Sequence, residues 1–291
     1  MKIWPDCIPC ILKMSLGIAR VAMKDEDQVG RFMEEVLRLK YFNGKVRKVT
    51  SPDVIRDVWL KVIEVTGETD PLKEVKEEQN RKALAAYPMA KELVLKSEDP
   101  FLGAVKLAIA ANSIDAMTDV KGEAPEEIIE KWHRLEIDKD NLMGLKERLR
   151  KARRLVYIGD NCGEIVFDRL LIEVLLETHP IDITYVTRTL PIMNDATLKD
   201  ALSMGMGKVA QIMENGIPEH LPGTFLNRIN SELKTLIERS DLVISKGGGN
   251  YDSLTEEESL KGKVSFLFLA KCYPYFHLHH VSLNAPVIYN S

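Results

Sequence analysis

The sequence of 291 residues holds no apolar run of about 18 residues, the length that crosses a bilayer as a helix, so no transmembrane segment and no membrane partner is expected. It has no excess of positive charge. Its 40 Lys and Arg face 44 Asp and Glu, for a net charge of −4 and a pI near 6.0. Neutralising a phosphate backbone needs a basic face, so nucleic acid is not an expected partner. Cysteine is scarce: Cys7, Cys10, Cys162 and Cys272 are all there is. A chain of this length buries enough surface to fold without disulfides, so these read as thiols or ligands of a reducing compartment. The start, "MKIWPDCIPCILK", lacks signal-peptide architecture, because Pro5, Asp6 and Pro9 break its apolar stretch. A cytoplasmic location is expected. Internal repeats and low-complexity linkers are missing too.

What is present is a globular composition, 45% hydrophobic and 29% charged. Residues 1–150 read as helices, in one or two helical subdomains. "SPDVIRDVWLKVIEV" has Ser51 as N-cap, Pro52 in the first turn and apolar residues at helical spacing. "DPFLGAVKLAIAANSID" is nearly all apolar from Val105 to Ala111 and reads as buried, whereas residues 122–147 read as a charged surface connection. From residue 151 the pattern changes. Short apolar runs at 154–160, 182–187, 207–213, 241–247 and 263–270 predict strands buried on both faces. Helical segments at about 164–178, 195–204 and 225–239 separate them. This predicts an α/β core over 151–291, a Rossmann-like and mostly parallel sheet flanked by helices. Ligands of such sheets lie beyond the carboxyl ends of the strands.

Polar clusters stand at those ends. "IGDNCGEIVFD" turns at Gly159 and presents Asp160 and Asn161, with Gly163 opening a helix. Oxygen ligands there suit a hard cation, and the helix amides suit an anion; the plain alternative is that Asp160 caps the helix. "RTLPIMNDATLKDA" adds Asp195, either a cap or a second carboxylate beside Asp160. "SKGGGNYDSL" runs from a strand into Gly247, Gly248 and Gly249, then Asn250. Successive glycine amides can form an anion nest, with Lys246 as a point charge, or the triplet is a loose turn. The P-loop pattern is absent, because the lysine precedes the glycines. Lys271 and Cys272 follow the last buried run; Lys271 either faces the pocket or snorkels.

In the helical half Asn112 ends an apolar run, where an amide needs a hydrogen bond or a ligand, and Asp115 follows. Asn80 and Arg81 read as solvated. Cys7 and Cys10 form a Cys-x-x-Cys pair. With Cys162 and Cys272 they either converge on zinc or iron, act as a redox pair, or remain separate buried thiols. His277, His279 and His280 alternate as in a strand and read as a surface or interface face.

Together, D-N-x-G-E-x-x-x-D (Asp160 to Asp168), N-D-A-T (Asn194 to Thr197), S-K-G-x-G-N-Y (Ser245 to Tyr251) and Lys271 resemble the metal-dependent damage-control phosphatases, first catalogued as domain of unknown function 89. The Cys7-x-x-Cys10 pair is similar to their stand-alone bacterial and archaeal subgroup. The resemblance implies a helical N-terminal region on a Rossmann-like core and a hydrolase of small phosphate monoesters, of sugars or damaged metabolites. It implies Mg, Mn, Co or Ni held by Asp160, Asn161 and Asp195. Phosphate would meet Lys246, the Gly247–Gly249 amides, Asn250, Lys271, Asn112 and Asp115, and Asp168 or Asp195 would handle the proton. Two other readings remain: a non-catalytic sugar-phosphate binding module, and an S-adenosylmethionine-dependent carboxyl methyltransferase. A homo-oligomer is left open.

Overall fold

A computed structural model describes residues 1–44, 49–114 and 123–291. The chain opens with helices α1 (Cys7–Ala22), α2 (Glu26–Arg38) and α3 (Ser51–Thr66). Thr50, one residue before the expected cap, accepts the Asp53 amide at the start of α3, which leaves Ser51 inside the helix. These helices share a core around Phe32, Trp59 and Val62, which also takes in Ile192 and Met193 from the second half.

Helices α4 (Lys73–Leu95) and α5 (Pro100–Ala110) belong instead to the core of the sheet, as the apolar run of α5 requires. The expected surface connection contains α6 (Pro125–Lys131) and α7 (Lys139–Lys151). Asp138 caps α7, and Leu145 and Leu149 are buried, so the charge of this stretch is one face of a packed helix rather than a loop.

The second half alternates β1 (Arg154–Ile158), α8 (Glu164–Thr178), β2 (Asp182–Thr187), α9 (Leu198–Ser203), β3 (Gln211–Glu214), α10 (Ser231–Arg239), β4 (Leu242–Lys246), α11 (Gly247–Leu254), β5 (Val264–Leu269), α12 (Tyr273–His279) and β6 (Pro286–Asn290). Among the described residues these strands form one sheet in the order β3-β2-β1-β4-β5-β6. All neighbours are parallel except β6, which runs antiparallel to β5. The expected class, α/β with a mostly parallel Rossmann-like sheet, is what folds. Strand order reverses between β1 and β4, and the crevice beyond their carboxyl ends is where such a sheet receives ligands.

Several elements differ from expectation: the run at 207–213 enters the sheet only from Gln211, and the helix expected at about 225–239 begins at Ser231. Gly247–Leu254 is a helix, not a loop. The "HLHH" segment lies in and just after α12, so His277 and His279 do not share a strand face. Instead His277 stacks on Tyr273, and His279 Nε2 lies 3.0 Å from the Tyr251 hydroxyl. The edge strand β6 was not foreseen.

Candidate active site

Two strand-end loops are zipped together by backbone bonds. Asn161 and Asp195 form an isolated antiparallel bridge. The Cys162 amide donates to Asn194 O at 2.8 Å, and the Ala196 amide donates to Asp160 O at 2.8 Å. Asp160, Asn161 and Asp195 are thereby held side by side, and all three line one cleft. Neither carboxylate is a helix cap. Gly163 stands at the N-cap of α8 without a side-chain bond, and the N-cap of α9 is Thr197, whose amide and hydroxyl donate to Asp200.

Beneath the carboxylates lies Arg188, a residue not singled out from the sequence. It directly follows β2 and is almost wholly buried. Its Nε lies 2.6 Å from Asp195 Oδ2 and its Nη2 lies 3.4 Å from Asp160 Oδ1. Its Nη1 donates to Asn250 Oδ1 at 3.0 Å and to Thr224 Oγ1 at 3.2 Å. The one available signal was its place: a charged residue ending a buried strand must find partners of opposite charge.

A second buried group lies deeper. Lys246 Nζ bonds Glu164 Oε1 at 2.6 Å, Ala108 O at 2.9 Å and the Asp168 carboxylate. Lys246, Glu164 and Asp168 have no solvent exposure. Burial opposes the ammonium, yet the charges of Asp168 and Glu164 hold its pKa above the lysine range. Burial pushes the Asp168 carboxyl up to about 6, Glu164 adds to that, and Lys246 and the Tyr157 hydroxyl oppose it. Asp168 also accepts Tyr157 at 2.7 Å and Tyr185 at 3.0 Å.

These positions correct part of the expected site. Lys246, expected as a phosphate contact, and Asp168, expected as a proton carrier, are both fully buried and neither lines the cleft. Asn250 is fully buried; its Nδ2 donates to Gly159 O at 3.0 Å and Lys246 O at 2.8 Å, tying the ends of β1 and β4 together. Gly247 lies under Asp160 rather than in the lining. Gly248, Gly249, Lys271 and Asn112 do line the cleft. The first amides of a helix lack intrahelical partners and attract anions, and the glycines expected to form a nest are here the first turn of α11. Asn112 Nδ2 donates to Glu164 Oε2 at 3.0 Å and Asp160 Oδ2 at 3.3 Å. Asp115 lies outside the described residues.

The thiols divide. Cys7, Cys10 and Cys272 line the same cleft, together with Asp252. Cys162 is fully buried in the sheet core, its Sγ 3.9 Å from Asp195 O. A four-sulfur centre is therefore not formed, because the strand-to-helix turn points Cys162 inward. Among the described residues no group of three His, Cys, Asp or Glu could hold an ion. Burial raises three of the thiols: Cys7 to about 11, Cys272 to about 12, and Cys162 well above the thiol range.

Fold and site define an α/β phosphatase whose cleft lies at the switch point of a doubly wound sheet. The chain belongs to the family of damage-control phosphatases with an ARMT1-like domain, whose family model matches residues 3–285. It is 33% identical over 281 residues to a damage-control phosphatase of Archaeoglobus fulgidus, covering 94% of each chain. It is 29% identical over 273 residues to a damage-control phosphatase of Pyrococcus horikoshii, covering 94% of this chain and 92% of that one. The crystal structure of a domain-of-unknown-function-89 family protein from Pyrococcus horikoshii superposes with a TM-score of 0.86 at 27% identity, over 100% of both chains. The protein is thus a hydrolase of the damage-control phosphatase type. No helix among the described residues is long and apolar enough to cross a membrane.

Proposed function

We propose that this phosphatase is metal-dependent and hydrolyses phosphate monoesters of small metabolites, sugar phosphates or damaged phosphorylated compounds. The observation that carries the proposal is the meeting of Asp160, Asn161 and Asp195 with the start of α11 in one cleft. Two carboxylates and an amide oxygen are hard donors that fit Mg, Mn, Co or Ni, with water or substrate completing the shell. Asn161 Nδ2 donates to Asp160 at 2.8 Å and Glu164 at 3.0 Å, so its carbonyl oxygen is the atom with ligand character. When bound, the cation supplies Lewis-acid polarisation of a phosphoryl oxygen and lowers the pKa of bound water.

The chain's own groups do the rest. The Gly248 and Gly249 amides and Lys271 offset the charge of the transferring phosphoryl group. Asn112 and Arg188 orient Asp160, and Arg188 orients Asp195. Asp195, the cleft-lining member of the expected proton-handling pair, keeps that role in this reading. Residues 1–150 close the cleft with α1 and α3, and residues 151–291 carry it. The Cys7-x-x-Cys10 pair at the start of α1 supports the stand-alone subgroup. A cytoplasmic location agrees with four cysteines that form no disulfide.

The test is phosphate release from p-nitrophenyl phosphate, first in EDTA and then with each divalent cation added back. Stimulation by at least one cation, lost in Asp160→Ala at unchanged folded-state circular dichroism, is expected. Equal turnover in EDTA, or full activity of Asp160→Ala, would overturn the proposal.

A further inference from the structure

Asn80 belongs to a strongly charged helix, α4, and from its neighbours reads as solvated. It is buried, with 3% of its surface exposed. Both ends of its amide reach across to the α/β core. Its Oδ1 accepts the Gly163 amide at 2.7 Å, and its Nδ2 donates to Asp200 Oδ1 at 3.0 Å. The other oxygen of Asp200 accepts the Thr197 amide at 2.9 Å and the Thr197 hydroxyl at 2.6 Å.

Gly163 stands two residues after Asn161, and Thr197 two residues after Asp195. One amide therefore joins the loop of Asp160 and Asn161 to the loop of Asp195, from outside both. The contact is tight: Gly163 has φ +76°, and a Cβ there would lie 3.3 Å from the Gln79 carbonyl oxygen, in the turn of α4 that carries Asn80. A side-chain amide of this length can accept an N–H at its oxygen and donate to a carboxylate from its nitrogen with one planar group. Aspartate at position 80 would still accept from Gly163 but would repel Asp200. Leucine would remove the acceptor of the Gly163 amide and the donor to Asp200 Oδ1.

We propose that Asn80 is a positioning residue for the divalent-cation site, setting the separation of the β1 and β2 loops from the helical half. This rests on the reading that Asp160, Asn161 and Asp195 hold the cation. Outer residues that orient ligands govern affinity strongly, although they never touch the ion. The role also gives the helical half a part in the chemistry beyond covering it.

The test measures Mn²⁺ binding by the electron paramagnetic resonance signal of the free ion, a readout independent of turnover. Wild type, Asn80→Asp, the swap Asn80→Asp with Asp200→Asn, and Asp195→Ala are compared. Asn80→Asp should weaken binding roughly ten- to hundred-fold, as loss of an outer partner does. The swap restores a donor and acceptor pair, since the amide now at position 200 can donate to the carboxylate now at position 80 and still accept from Thr197. It should recover most of the affinity. Wild-type affinity in Asn80→Asp, or no recovery in a folded swap, overturns the positioning role while loss of binding in Asp195→Ala upholds the cation site. Wild-type affinity in Asp195→Ala overturns the cation reading and this proposal with it. If Asn80→Asp alone fails to fold, a folded swap with wild-type affinity upholds the pairing and a folded swap with weak affinity rejects it.

Discussion

Gly247 lies so close beneath Asp160 that a Cβ on it would stand 1.8 Å from Asp160 Oδ2. Its φ of +74° adds a second reason for glycine, since an L side chain is strained there. The first residue of α11 and a proposed cation ligand are thus packed as one unit. Gly247→Ala forces the carboxylate out of place and costs roughly 1–3 kcal/mol of backbone strain. Displacing a reacting group by about 1 Å can cost on the order of 10²-fold in rate. Cation-stimulated hydrolysis of p-nitrophenyl phosphate should fall by about that factor, with a smaller loss of melting temperature. Wild-type activity in a folded Gly247→Ala would show that Asp160 need not sit there.

Arg188, itself almost wholly buried, joins Asp160, Asp195, Asn250 and Thr224. Removing one partner of a buried ion pair leaves uncompensated charge and typically costs about 3–5 kcal/mol. Arg188→Ala should lose stability of that order in urea denaturation, and Arg188→Lys should lose part of it, because an ammonium cannot span all four partners. A loss under about 1 kcal/mol in Arg188→Ala would mean that the pair is solvated in solution, as surface pairs are.

The sequence made the parallel strands legible because both-face burial leaves short apolar runs with no alternation. It showed β4 but not α11, since three glycines argue against a helix until Asp160 is seen against Gly247. The "HLHH" segment misled for a related reason: alternation over four residues is too short to separate a strand from a helix. That Asp160, Asn161 and Asp195 meet in one cleft was legible from their places at strand ends. Arg188 and Asn80 were not, because an ionic or amide side chain in a charged context reads as solvated until its partners are known. Lys246 reads as a cleft residue from its place before the glycines and from the S-K-G-x-G-N-Y motif. Its three buried partners come from α5 and α8, and no local pattern announces them.

Thiol chemistry separates the four cysteines. Cys162 is fully buried and Cys7, Cys10 and Cys272 are partly exposed, but burial raises Cys7 and Cys272 to about 11 and about 12. The thiolate is the nucleophile, so both should alkylate more slowly than an ordinary solvated thiol near neutral pH. Mass spectrometry after iodoacetamide treatment of native protein should show slow modification at Cys7 and Cys272. Cys162 should stay protected until denaturant is added. Early labelling of Cys162 would contradict its place in the core.

Asp252 lines the same cleft and gives a pH dependence of stability. Its carboxylate accepts the Ser51 hydroxyl and the Tyr275 hydroxyl, the latter at 3.1 Å, and its backbone oxygen accepts the Met1 ammonium. Burial pushes its pKa from 3.8 up to about 6; Ser51, the Met1 ammonium and Tyr275 oppose the rise, and Glu256 adds to it. Cys7 and Cys272 line the cleft with it as neutral thiols. Between the two pKa values the folded chain keeps a proton that the unfolded chain releases. The contribution to stability is therefore fully present below the unfolded value and lost as pH rises through about 6. Asp252→Asn stays neutral throughout and lacks this term. Urea denaturation should show wild type losing stability relative to Asp252→Asn between about pH 4 and about pH 7, the opposite of a salt-bridged carboxylate. A gain over that range would mean that Asp252 is ionised and paired in the folded protein.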